Sequence, residues 1–205
     1  MGSRHVAVAA AARRPLRAYR RPGRYPFANF GVRNQNGYPT VFRALAVRRQ
    51  GCHPAWYRVQ LPLKPNGITG FVRASAVELG YVHTRVFVDL SARRLVLLRD
   101  GRPVLRTTVA VGTPATPTPT GSYYVNQRLL PEDPAGPFGP AALGVSAFSD
   151  VLTSWTQGGP IGIHGTNEPW SIGHAASNGC IRLRNSVIRR LFRMTPAGTP
   201  VVIAQ

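Results

Sequence analysis

Acidic residues are scarce: seven Asp and Glu stand against 26 Lys and Arg in 205 residues, for a formal net charge of +19. Few carboxylates, and His and Cys residues without ligand-type spacing, argue against a metal centre, and neither a metal nor a cofactor is expected. Lysine is nearly missing as well. Lys64 is the only one, a bias of the kind a GC-rich genome produces. With two cysteines, Cys52 and Cys180, the chain has no disulfide framework, and both thiols are expected to be free. No apolar run approaches the roughly 20 residues that span a bilayer as a helix. The signatures of helix-turn-helix, zinc-finger, RNA-recognition and nucleotide-binding proteins are also absent, so the charge does not imply specific nucleic-acid binding.

What is present describes a globular, mostly β protein. A hydrophobic fraction of 43% is ordinary for a folded domain, and the length allows two modules with real cores. Charge divides them unevenly: residues 1–83 hold 14 basic residues and one acidic, residues 84–205 hold 12 and six. A field that positive favours polyanionic partners.

Residues 15–80 read as short strands at 16–19, 40–45, 56–61 and 70–73, broken by Pro and Gly, which predicts a small β-barrel. Val6 to Ala12 is taken as lead-in to the first strand. From Val86 the pattern changes. Strands are expected at 86–90, 95–98, 107–111 and 123–125, with Asp100-Gly101 as a hairpin turn. The Pro-rich run 116–121 is a loop or edge. Residues 131–140, with four prolines, are either a lid or a plain connector. One helix follows Cys180. Asn185 or Ser186 is placed to cap it, and Val187, Ile188, Leu191 and Phe192 form its apolar stripe. A strand at 200–203 closes the chain.

The chemistry concentrates in Ile161-Gly162-Ile163-His164-Gly165-Thr166 and Ser177-Asn178-Gly179-Cys180-Ile181-Arg182. A thiol is a good nucleophile as thiolate, and an imidazole is the usual means of forming one at neutral pH. Glycine beside each reactive group lets backbone approach a substrate and aim N–H groups at a developing oxyanion. His164 and Cys180 therefore point to covalent acyl transfer, and activity should fall as His164 becomes protonated.

These two motifs, with Val86-Phe87-Val88-Asp89-Leu90, Gly112 and Thr118-Pro119-Thr120-Gly121 upstream, resemble the L,D-transpeptidases of the bacterial cell wall, the YkuD-type catalytic domain, over roughly residues 84–205. Asn178 stands where many members carry a second histidine. The resemblance implies a catalytic β-sandwich or barrel with one late α-helix. It also implies a peptidoglycan stem peptide as substrate: Cys180 forms a thioester at the third stem residue, terminal D-Ala leaves, and a neighbouring amine completes a 3→3 cross-link. In the family His164 is the base, the Gly165 carbonyl holds its second nitrogen, and the backbone N–H groups of Gly179 and Cys180 form the oxyanion hole. Ser177 either bonds the site or shapes a turn. Arg182 binds a substrate carboxylate, holds the loop, or does both. Trp170 and Tyr124 either wall the cleft or pack elsewhere, and His174 matches no functional position.

Trp56-Tyr57-Arg58-Val59-Gln60-Leu61-Pro62, Pro65-Asn66-Gly67 and Gly70-Phe71-Val72 look like a bacterial SH3-like module, which binds anionic wall polymers or serves as a spacer. The division is thus an SH3-like module at 1–83 and a catalytic domain at 84–205. An extracytoplasmic protein follows from the resemblance, with an export signal or anchor expected outside this sequence; a monomer is the default expectation. A carboxypeptidase acting on the same peptides, or a non-catalytic wall-binding protein, are the alternatives.

Overall fold

Alternation of apolar and polar residues builds two sheets in the computed structural model, which describes residues 1–205. The first contains β1 (Ala7–Ala12), β2 (Leu16–Arg21), β3 (Arg24–Phe30), β4 (Val41–Gln50), β5 (His53–Gln60), β6 (Thr69–Arg73) and β7 (Val77–Val82). Its order is β3-β2-β6-β5-β4-β1-β7, and every pairing is antiparallel. No ladder joins β3 to β7, so hydrogen bonding does not close the expected barrel. β1, β3 and β7 go beyond the strands read from sequence. Alanine carries little intrinsic β signal, so β1 is defined by what covers it. Val8, Ala10 and Ala12 join a 13-residue cluster inside the sheet. Ala9 turns the other way, packing with Val41 and Val82, and a side chain at Gly198 would collide with it. Small residues on that face let the two halves of the chain approach closely.

The second sheet begins at once, after His83. It uses β8 (Thr84–Asp89), β9 (Arg94–Arg99), β10 (Arg102–Thr108), β12 (Gly121–Leu129), β13 (Ala142–Phe148), β14 (Pro160–His164), β16 (Ile181–Arg182) and β17 (Pro200–Ala204), in the order β10-β9-β8-β17-β12-β13-β14-β16. The short β11 (Val111–Gly112) and β15 (Ala175–Ser177) pair separately. β8 with β17, and β14 with β16, are parallel within the large sheet. A 21-residue apolar cluster lies against it, and the helix α1 (Asn185–Met194) adds Ile188 and Leu191 to that core. Val187 and Phe192 pack at its margin, completing the predicted stripe. The cap differs from expectation. Arg184 holds the N-cap position without a side-chain bond, and Asn185 reaches back to the histidine loop instead.

Polar side chains tie the halves together. Gln60 Nε2 donates to the Ser122 carbonyl at 2.7 Å. Asn66 imitates a strand neighbour for Phe148, accepting from its N–H at 2.9 Å and donating to its carbonyl at 2.8 Å.

Candidate active site

Strand alternation aims the imidazole. In β14, Ile161 and Ile163 enter the core, which leaves Gly162 and His164 on the opposite face. β16 runs parallel beside it, with His164 opposite Arg182, so Cys180 lies at the mouth of that pairing. Thiol and imidazole line one small cavity of about 220 Å³ with Ser177, Asn178 and Arg182. Gly162, part of the histidine motif but given no role from sequence, donates its N–H to Cys180 Sγ at 3.4 Å. The same alternation that aims His164 would have found it.

The turn before the thiol requires glycine. Gly179 has φ +106°, in the left-handed region, and a Cβ there would stand 3.1 Å from Ile161. Ser177 closes this turn, donating its hydroxyl to the Cys180 carbonyl at 2.5 Å and accepting the Gly179 N–H at 3.2 Å. Ser177 thus shapes the loop, and the Gly179 N–H already has a partner. Thr116 supports the loop from outside, its hydroxyl donating to the Ser177 carbonyl at 3.1 Å.

His164 Nδ1 lies 2.6 Å from the Gly165 carbonyl, which can only accept, so Nδ1 carries the proton and Nε2 is the basic nitrogen. Burial lowers the imidazole pKa to about 4; the Gly165 carbonyl opposes this and the Arg182 charge adds to it. Burial raises the Cys180 thiol, partly offset by the Gly162 N–H and Arg182. In both groups desolvation is the largest influence, and it disfavours charge on the thiol and on the imidazole alike.

Arg182 is held by Glu168, through Nη1 and Oε2. Its Nε is buried without a partner. Sequence reasoning missed Glu168, although it is the only carboxylate between the histidine and the cysteine. It also missed Asn185. The Asn185 Oδ1 accepts the Thr166 N–H at 2.8 Å, and it sits where a side chain at Gly165 would collide with it.

The aromatic walls differ from expectation. Tyr124 is fully buried, its hydroxyl unpartnered and its phenol pushed well up by burial. Tyr123 and Val125 face the core, so Tyr124 faces the first sheet, as does Ser122, whose hydroxyl accepts from Arg43 of β4. Trp170 is 66% exposed and lies outside the cavity. Phe138 and Trp155 line it instead. The Phe138 ring meets His164 edge-on, 5.0 Å between centroids, which puts segment 131–140 over the imidazole.

Cys52 is exposed, and both cysteines are unpaired. No group of three or more His, Cys, Asp or Glu side chains is close enough to hold a metal ion.

The family model for the L,D-transpeptidase catalytic domain, YkuD, matches residues 83–203. The YkuD protein of Bacillus subtilis (strain 168) is 38% identical over 118 residues, 58% of this chain and 64% of its own length. That of Bacillus licheniformis is 39% identical over 119 residues, with the same shares of each chain. The chain thus spans just under two thirds of these relatives. Among solved structures, the catalytic domain of the E. faecium L,D-transpeptidase is similar at 28% identity and a TM-score of 0.43, over 59% of this chain and 96% of that one.

Proposed function

This chain belongs to the YkuD family of L,D-transpeptidase catalytic domains, and we propose that it cross-links peptidoglycan stem peptides through a thioester on Cys180. The observation that carries the reading is the placement of Cys180 and His164 in one cavity, with Nδ1 fixed on the Gly165 carbonyl.

The steps follow from that placement. As Cys180 Sγ bonds to the carbonyl carbon at the third stem residue, its proton passes to His164 Nε2, and the Gly165 carbonyl stabilises the imidazolium. The carbonyl oxygen becomes an oxyanion. The Cys180 N–H meets it, and the Gly179 N–H turns to it from the Ser177 hydroxyl, a weaker neutral acceptor. Collapse breaks the peptide bond, and terminal D-Ala leaves with the proton from Nε2. A neighbouring side-chain amine then attacks the thioester, giving its proton to His164. The second collapse returns that proton to sulfur, so the enzyme is regenerated and one amide replaces another. Arg182, oriented by Glu168 and lining the cavity, presents its guanidinium charge to a substrate carboxylate.

The first half of the chain serves as an SH3-like module, and its 14 basic residues suit anionic wall polymers. The protein acts outside the cytoplasm as a monomer.

Incubation with disaccharide-tetrapeptides, followed by mass analysis, is expected to yield dimers lacking one D-Ala. Cleaved monomers alone would make the protein a carboxypeptidase. A carbapenem is expected to add its mass to the folded protein and not to Cys180→Ala. No adduct on the parent would leave a non-catalytic wall-binding protein.

A further inference from the structure

The cavity at Cys180 opens into a much larger groove of about 1120 Å³ between the two sheets. That exceeds the roughly 300–1,000 Å³ typical of small-molecule sites and suits a peptide. Its lining includes Cys180 and His164 from the second half of the chain and the loop 31–40 from the first sheet.

That loop is fixed. Asn34 Oδ1 accepts the N–H groups of Asn36 and Tyr38 at 3.0 and 3.1 Å. Asn34 and Asn36 both donate to Gln127 Oε1 on β12, at 2.7 and 3.2 Å. From the facing wall, Gln157 Nε2 donates to Asn36 Oδ1 at 2.7 Å. A surface spacer would need no such pinning to both walls of the groove.

The groove's charge departs from that of the molecule. In a chain with 26 Lys and Arg against seven Asp and Glu, its lining holds one of each sign besides His164: Arg33 and Glu132. Amides are most of its other polar side chains, set among many apolar ones, and Asn126 Oδ1 is buried without a hydrogen-bond donor. A polyanion would find little here. A zwitterionic peptide would find a guanidinium for its carboxylate, a carboxylate for its ammonium, and amides for its backbone. A groove short of cations also does not repel an amine approaching the thioester.

We propose that the loop 31–40 belongs to the acceptor site, and that the groove holds the amine-bearing peptide with Arg33 on its carboxylate and Glu132 drawing in its ammonium, which gives one proton to solvent before the neutral amine attacks the thioester. The inference rests on the transpeptidase reading for the identity of the peptide. Specificity for the acceptor then resides partly in the first half of the chain, outside the family domain.

Calorimetric titration of the full-length Cys180→Ala protein with a stem tripeptide tests this. Such a peptide carries a free side-chain amine and lacks the D-Ala that a donor releases. Arg33 and Glu132 are both exposed, so Arg33→Gln and Glu132→Gln leave the core intact. Each is expected to weaken binding about two- to fivefold. Arg33 Nη1 also donates to the Gly37 carbonyl at 2.6 Å, and Arg33→Lys, which keeps the charge and a donor, is expected to keep the affinity. Acetylating the amine should weaken binding to the parent equally and add nothing in Glu132→Gln. Unchanged affinity in both Arg33→Gln and Glu132→Gln would overturn the proposal, even in a protein whose Cys180 is acylated by a carbapenem. Absence of that acylation would remove the transpeptidase reading, while the titration still decides whether the groove binds the peptide.

Discussion

At the residue scale, burial sets the working state of the site. A histidine held near pKa 4 stays a competent base far into acid, because the nitrogen that must accept the thiol proton is unprotonated above that value. Carbapenem acylation of Cys180 should therefore keep its rate down to about pH 5 and fall below it. A midpoint near the ordinary histidine value of 6.5 would contradict a buried imidazole. Stability follows with a definite sign. Between about 4 and 6.5 the unfolded chain binds a proton that folded His164 refuses. Its contribution is complete above 6.5 and lost as pH falls through about 4, on the order of 3 kcal/mol in all. Denaturant unfolding at pH 7 and near pH 4 should show the parent losing more stability than His164→Gln.

At the scale of elements, α1 holds the histidine loop. The Thr166 N–H is buried, and Asn185 Oδ1 is its acceptor. Removing that acceptor in Asn185→Ala should lower stability by about 1–3 kcal/mol, the cost of an orphaned buried donor. The Gly165 carbonyl loses its support in the same variant, so kcat should fall about tenfold or more with little change in KM. Asn185→Asp keeps an acceptor and should recover most of the rate. Equal loss in both would give Asn185 a packing role only. Segment 131–140 is a second case. Proline content makes 131–140 irregular, but the contact between Phe138 and His164 sets where it rests.

At the scale of the molecule, the two halves share walls. Asn66, between β5 and β6, completes the backbone bonding of Phe148 at the end of β13, and Lys64 Nζ donates to the Ser149 carbonyl beyond it at 3.1 Å. Segment 149–159, which carries Trp155 and Gln157, begins there. Asn66→Ala should lower the melting temperature by roughly 2–6 °C and speed proteolysis within 149–159. An unaltered melting curve would mean that the halves are stable independently of this link.

Sequence by itself determined the glycine-flanked thiol and imidazole motifs, the predominance of strands and the stripe of α1. Each is written in short-range pattern: spacing, alternation or a backbone conformation that only glycine accepts easily. The alanine-rich β1 carried too weak a pattern to be read. Tertiary structure alone decided that Glu168 holds Arg182, that Asn185 serves Thr166 rather than the helix end, and that Phe138 and Trp155 wall the cavity where Trp170 and Tyr124 were expected. It also brought Asn34 to Gln127 and Gln157 to Asn36, across 93 and 121 residues of sequence. Partners that distant leave no periodic trace in either segment, since what selects them is the packing of one sheet against the other.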